Sequence, residues 1–172
     1  MATSMYNALF TGSEAVTLAA GSTIGGGFAG TTVPINATAS TLTVTATTHA
    51  GKIVTLNAAT GIAVTMPNAT GTGNTYRFFI GTTITSTNVT TFTRGTASDV
   101  YYGIAMLHKA TSTYTPFLSA SNSNVITLGT STNTTGGTIG DWLTFIDVAT
   151  NAWYVNLVLV GAGTLATPFS NA

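Results

Sequence analysis

This chain has few charged residues and lacks cysteine. Its 172 residues include four basic and four acidic side chains, 5% in all, and no cysteine. A typical soluble domain carries about 25% charged residues. The missing cysteine excludes disulfides, thiolate chemistry and cysteine-based zinc sites. The length fits one domain, with or without an arm, better than two.

The low charge also narrows the range of partners. Nucleic-acid binding needs a basic field that releases counterions from phosphates, and four dispersed cations cannot build one. Amphipathic binding to a membrane needs a charged face as well. The longest apolar run, residues 153–166, is too short to span a bilayer. We therefore expect neither a nucleic-acid nor a membrane partner.

Few side chains could support catalysis. His49 lies in a tight connection between two predicted strands, where we expect it to hydrogen-bond local backbone, and His108 ends a strand at the surface. Gly71 and Gly73 form a turn that no helix follows, so the dinucleotide fingerprint fails. No Gly-x-Ser-x-Gly pattern occurs. We expect a protein that is not an enzyme, with no catalytic residue, no cofactor and no metal.

Threonine dominates what is present, with 39 residues, and glycine adds 19 more. Threonine on the outer face of a strand keeps β propensity and can be wetted without charge. A surface of this kind is polar and neutral, and it costs less desolvation to bury than a surface of Lys or Glu. The composition therefore suits a protein in permanent contact with other copies or other subunits.

Alternation of apolar and polar residues predicts an all-β fold. About nine or ten short strands are expected, with the clearest at residues 41–48, 52–57, 61–66, 75–80, 88–94, 100–107, 124–129, 141–148 and 152–160. On residues 75–80, Arg77 should face away from Tyr76 and Phe78 and pair with a carboxylate or contact a neighbouring subunit. The spacing favours an antiparallel β-sandwich, jelly-roll-like, although the sequence does not separate a jelly roll from other sandwiches.

The first 35 residues differ from the rest. Residues 21–30 contain too much glycine for the interior of a stable helix or strand. We predict an extended Gly-rich N-terminal arm over residues 1–35 and a β-sandwich domain over residues 36–172. Residues 14–20 are compatible with a short helix or an extended segment.

Two tryptophans bracket the last predicted hairpin, whose turn lies near residues 149–151. Trp142 and Trp153 are expected to pack in the core or an interface, which is the commoner role of Trp on strands, while contact with a glycan is the alternative.

Two stretches carry a resemblance. The first runs over residues 49–67 and 71–78, and the second is the closing hairpin with Gly140-Asp141 and Trp153-Tyr154-Val155. Together they resemble β-rich virion proteins of tailed bacteriophages, particularly capsid decoration (cement) proteins of phages from aquatic bacteria. The resemblance implies a non-enzymatic structural protein, often trimeric, that sits on the outer surface of the capsid and ties neighbouring capsomers together.

On this interpretation the sandwich domain is the body of a knob. The arm lies on the capsid or on a neighbouring knob, where it could add a strand to an exposed sheet edge. Its apolar anchors, predicted to form the capsid or subunit interface, are Met5, Tyr6, Leu9, Phe10, Ile24 and Phe28. The expected partners are the major capsid protein and further copies of this chain in a homotrimer. The alternative is a phage fibre or receptor-binding domain that recognises host surface glycan.

Overall fold

The computed structural model describes residues 33–85, 87–109, 113–129 and 132–171. These residues form an all-β body of two mixed sheets packed on each other, as in a β-sandwich. The larger sheet has, in spatial order, β1 (Ile35–Ala37), β3 (Ile53–Leu56), β5 (Thr75–Ile80), β10 (Trp142–Ala149), β11 (Ala152–Gly161), β7 (Val100–Lys109) and β8 (Thr113–Leu118). The smaller has β12 (Phe169–Ser170), β9 (Val125–Gly129), β6 (Val89–Thr93), β4 (Ala63–Thr65) and β2 (Thr41–Thr43). One helical turn, α1 (Ala46–His49), joins β2 to β3.

The first six strands alternate between the two sheets. Strands β1, β3 and β5 form a parallel ladder in the larger sheet, and β2, β4 and β6 form another in the smaller sheet. Because each strand is followed by one in the opposite sheet, the chain returns to the first sheet in its original direction. This winding makes successive strands of one sheet parallel.

The second half of the chain completes both sheets. The β10–β11 hairpin lies antiparallel to β5, and β7 runs parallel to β11 over ten residues. Among the described strands, five of the ten pairings are parallel. The expectation of an antiparallel sandwich is therefore wrong, and these parallel ladders do not fit a jelly roll, which is built from antiparallel strands.

The core lies between the two sheets and is centred on aromatic rings. Phe78 of the larger sheet packs edge-on against Phe92 of the smaller sheet, with ring centroids 4.9 Å apart. Phe145 lies 5.2 Å from Phe92 and 5.7 Å from Tyr101. Trp153 is also fully buried and lies 5.6 Å from Tyr76. These contacts hold the two inner faces together.

Each of the nine predicted strand segments overlaps a strand of the structure, and residues 75–80 match β5. The segment 41–48 is only partly extended, because the chain turns through α1 on its way from the smaller to the larger sheet. Strands β1, β8 and β12 were not predicted. Residues 1–32, with most of the proposed arm and all six of its anchors, lie outside the described residues.

Candidate interaction surface

The longer strand of the final hairpin, β11, is apolar on its inner side and mostly apolar on its outer side. Along β11, residues 153, 155, 157 and 159 point into the core and are fully buried. The side chains between them point outward, and Tyr154, Val158 and Val160 are 42%, 56% and 38% exposed. A strand of this kind is typical of a sheet covered on both faces.

Neighbouring strands continue this outward apolar surface. Val158 pairs with Trp142 on one side and Met106 on the other. Trp142 pairs in turn with Phe79, and Met106 with Pro116. One apolar row therefore crosses five strands of the larger sheet, since paired residues share a face.

We call the outward side of β5, β10, β11, β7 and β8 the apolar face. Its large apolar members are Phe79, Tyr102, Ile104, Met106, Tyr114, Pro116, Leu118, Trp142, Ile146, Tyr154, Val158 and Val160. Arg77, Thr144 and Asn156 share one polar row within it. The acidic residues of the described part, Asp99, Asp141 and Asp147, are all buried, so this face carries no acid.

The outward side of the smaller sheet is different. Thr41, Ala63, Thr91 and Thr127 form one row across it, and Thr43, Thr65, Thr93 and Val125 form the next. This threonine face agrees with the expected polar, neutral surface. The apolar face does not, and for the larger sheet that expectation is wrong.

A buried carboxylate fixes the loop at one end of the two sheets. Asp147 accepts hydrogen bonds from the backbone N–H groups of Thr70, Gly71 and Thr72 at 2.9, 2.6 and 3.1 Å. The hydroxyl of Thr72 donates a further bond at 2.6 Å. Burial raises the pKa of Asp147, but these hydrogen bonds outweigh it and hold the pKa below its usual value. The glycine-rich turn is thus a cradle for a protein carboxylate.

A second carboxylate joins the 137–138 turn to β11. Asp141 accepts the N–H groups of Gly137, Thr138 and Val160 at 2.6, 3.1 and 2.7 Å. Burial outweighs the effect of these bonds and raises the pKa of Asp141 to about 6.

The third carboxylate also binds backbone. Asp99 accepts the N–H groups of Ala69 and Thr96, both at 3.2 Å. Arg77 faces outward from β5, as expected, while Tyr76 and Phe78 are buried. In the described structure no ion pair links Arg77 to any of the three carboxylates, because Arg77 lies on the outward side of β5 while the acids are buried.

The two histidines and two tryptophans form local hydrogen bonds or pack against other rings. His49 ends α1, is buried, and accepts the backbone N–H of Thr45 through Nδ1 at 3.0 Å, in agreement with the predicted local hydrogen bond. The ring of His108 lies 4.7 Å from that of Tyr114. Trp153 is in the core, whereas Trp142 belongs to the apolar face and lies 6.5 Å from the ring of Phe79.

Within residues 33–85, 87–109, 113–129 and 132–171, no three acidic or histidine side chains come close enough to hold a metal ion. The same residues enclose no cavity or cleft. None of the helical segments in these ranges has the length and apolar character needed to cross a membrane.

No protein-family model, curated protein or solved structure matches this chain.

The apolar face was not predicted from the sequence. Strand alternation predicts an apolar inner side and a polar outer side, which holds for the threonine face. A usable signal was present in residues 100–107 and 152–160, where both members of the alternation are largely apolar. Such strands indicate a second covered face.

Proposed function

We propose that this chain is a non-enzymatic structural protein of a virion, which decorates the outer surface of an icosahedral capsid and stabilises it by bridging neighbouring capsomers. The resemblance of residues 49–67 and 71–78, and of the closing hairpin, to capsid decoration proteins suggests the outer surface of a capsid as the location. The major capsid protein and further copies of this chain are the proposed partners.

The contrast between the two outer faces carries the proposal. Tyr154, Val158 and Leu118 leave 42%, 56% and 76% of their surface exposed on the apolar face. Large exposed apolar patches mark interaction sites, because their burial against a partner is favourable. The threonine face suits solvent, since its hydroxyls are wetted without charge. A protein with one face of each kind is suited to bind a neighbouring subunit through the apolar face while the threonine face meets water.

The arm is the second proposed contact. Residues 1–35 include the six apolar anchors Met5, Tyr6, Leu9, Phe10, Ile24 and Phe28, which we propose to bind the capsid or a neighbouring knob. Many identical weak contacts on a symmetric lattice would then add to a strong attachment.

Copy number tests the proposal directly. Particles purified from the source of this protein would be analysed by quantitative mass spectrometry against the major shell subunit. A ratio near one to one, or a simple fraction of it, supports decoration of the lattice. Absence of the chain from the particles would overturn the virion assignment.

A receptor-binding fibre domain is the second candidate, and the three exposed tyrosines of the apolar face favour it. Tyr102, Tyr114 and Tyr154 are 46%, 66% and 42% exposed, and exposed aromatic rings can stack on sugars. This candidate predicts a handful of copies per particle and sugar-dependent binding on a glycan array. Many copies per particle with no glycan binding would exclude it.

A further inference from the structure

We propose that the apolar face is the site at which a second copy of this chain docks, face to face, in a two-fold dimer. The proposal names one partner for a surface described above, and its dimer replaces the homotrimer that the resemblance implies. It rests on the geometry of that surface and not on a place in a virion.

The shape and chemistry of the surface select another sheet as its occupant. The row from Phe79 through Trp142, Val158 and Met106 to Pro116 runs across five adjacent strands. A broad sheet face of this kind packs best on a second sheet about 10 Å away, with the side chains of the two interleaved. Another copy of the chain supplies a face of the same width and the same row spacing.

The size of the surface is sufficient for a stable dimer. The five strands of the apolar face contain 40 residues. Each residue occupies about 3.4 Å along its strand and about 4.8 Å across the sheet, so the face covers roughly 650 Å². Two copies together would bury roughly 1,300 Å², which lies within the range of about 1,200–2,000 Å² for a specific interface.

Charge does not oppose this pairing. The face carries Arg77 and His108 but no acid, because the described carboxylates are buried elsewhere. A two-fold axis parallel to β11 brings β5 of one copy over β8 of the other. The two Arg77 side chains then lie about four strand spacings apart, roughly 19 Å, which exceeds the screening length of about 8 Å at physiological salt.

Sedimentation equilibrium of the purified full-length chain tests the proposal. We expect a species of twice the 17.4 kDa chain mass at micromolar concentration. Val158→Lys places a charge in the central row of both copies and should raise the dissociation constant at least tenfold. Thr65→Lys is the matched control, because it adds the same charge to the exposed threonine face and should leave the dimer intact.

The circular dichroism spectrum of each variant shows whether it has folded. If Val158→Lys fails to fold, Tyr154→Ser replaces it, since it removes an exposed ring without adding charge. A monomer at 100 μM, a trimer, or a dimer unchanged by a folded variant of the apolar face would each overturn the proposal. Because the measurement uses no particle, its result is independent of the copy number that tests the virion assignment.

Discussion

At the scale of single residues, the acids of the described chain bind backbone amides. Asp147, Asp141 and Asp99 together receive eight backbone N–H bonds, seven from loops and one from Val160 of β11. Loops have few apolar contacts to hold them, and a carboxylate offers strong acceptors at a fixed point. The small number of acids in the sequence indicates that few groups could support catalysis. In the structure the three described acids hold backbone segments in place.

Asp147→Asn should destabilise the fold by about 2–4 kcal/mol. In the native chain each carboxylate oxygen of Asp147 accepts at least two hydrogen bonds, and the NH₂ group of Asn would set a donor against these donors. Urea denaturation measures the change. Asn122→Asp makes the reverse exchange at an exposed turn position and should cost less than about 0.5 kcal/mol. A loss below about 1 kcal/mol for Asp147→Asn would contradict the importance of the cradle.

Stability should fall as pH rises from about 4 to about 6. The pKa of Asp141 is raised from 3.8 to about 6 in the folded chain by burial, so the unfolded chain loses this proton first. The contribution of Asp141 to the free energy of unfolding is fully present below pH 3.8 and is lost as the pH rises through about 6. At about 1.36 kcal/mol per pKa unit, the loss amounts to about 3 kcal/mol.

Urea denaturation at a series of pH values measures this dependence. Asp141→Asn should abolish the decline between pH 4 and 6. The acid side is the internal control: the pKa of Asp147 is lowered by its hydrogen bonds, so its contribution is present above pH 3.8 and is lost below it in both proteins. A variant that keeps the decline would assign it to another group.

At the scale of elements, a close approach of two parallel strands depends on one glycine. Gly103 lies opposite Val155 in the β7–β11 ladder, and a Cβ on it would lie 1.8 Å from the carbonyl oxygen of Val155. No small rearrangement relieves a contact with backbone. The two ten-residue strands therefore need glycine at this point.

Gly103→Ala should cost more than about 3 kcal/mol or prevent folding, because it forces the ladder apart. Gly73→Ala is the control. Its φ is +74°, and a Cβ there meets nothing within 4 Å, so only the backbone conformation is strained, at about 1–2 kcal/mol. Thermal unfolding followed by circular dichroism compares the two. Equal losses would show that the contact with Val155 is unimportant.

The individual strands show which parts of the fold can be predicted from the sequence. Residues 75–80 were predicted as a strand because Tyr76, Phe78 and Ile80 recur in phase, although Phe79 on the opposite side is apolar as well. Strands β1 and β12 contain only three and two residues, too few to show a period. The α1 turn interrupts an alternating segment because the chain must cross between sheets. The apolar face was missed because alternation identifies one buried side, and a second apolar side looks like an ordinary hydrophobic run.

At the scale of the whole described domain, strand pairing is the property that the sequence did not disclose. Alternation fixes which side of a strand is buried but says nothing about its neighbour. Ile35 lies beside Val54, and Val54 lies beside Phe78. The number of residues between the two members of a pair differs from one turn of the winding to the next. Parallel neighbours are joined by crossover connections whose length varies. The sequence therefore shows no regular spacing from which these pairs could be predicted.

The described domain should unfold in one cooperative transition, because both sheets share a single core. Trp153 is fully buried and reports on that core, while far-UV circular dichroism reports on the strands. In urea, fluorescence and circular dichroism should give the same midpoint and the same slope. Two separated midpoints would mean that the parallel ladders and the β10–β11 hairpin fold as independent units.

The pairing of β7 with β11 also has a consequence for synthesis. Strand β7 leaves the ribosome more than forty residues before β11, its parallel partner. The β1–β6 ladders can form as they emerge, but until β11 arrives, β7 has only β8 beside it. The nascent chain therefore carries a long unpaired strand edge, of the sort that chaperones protect, until residues 152–161 are made.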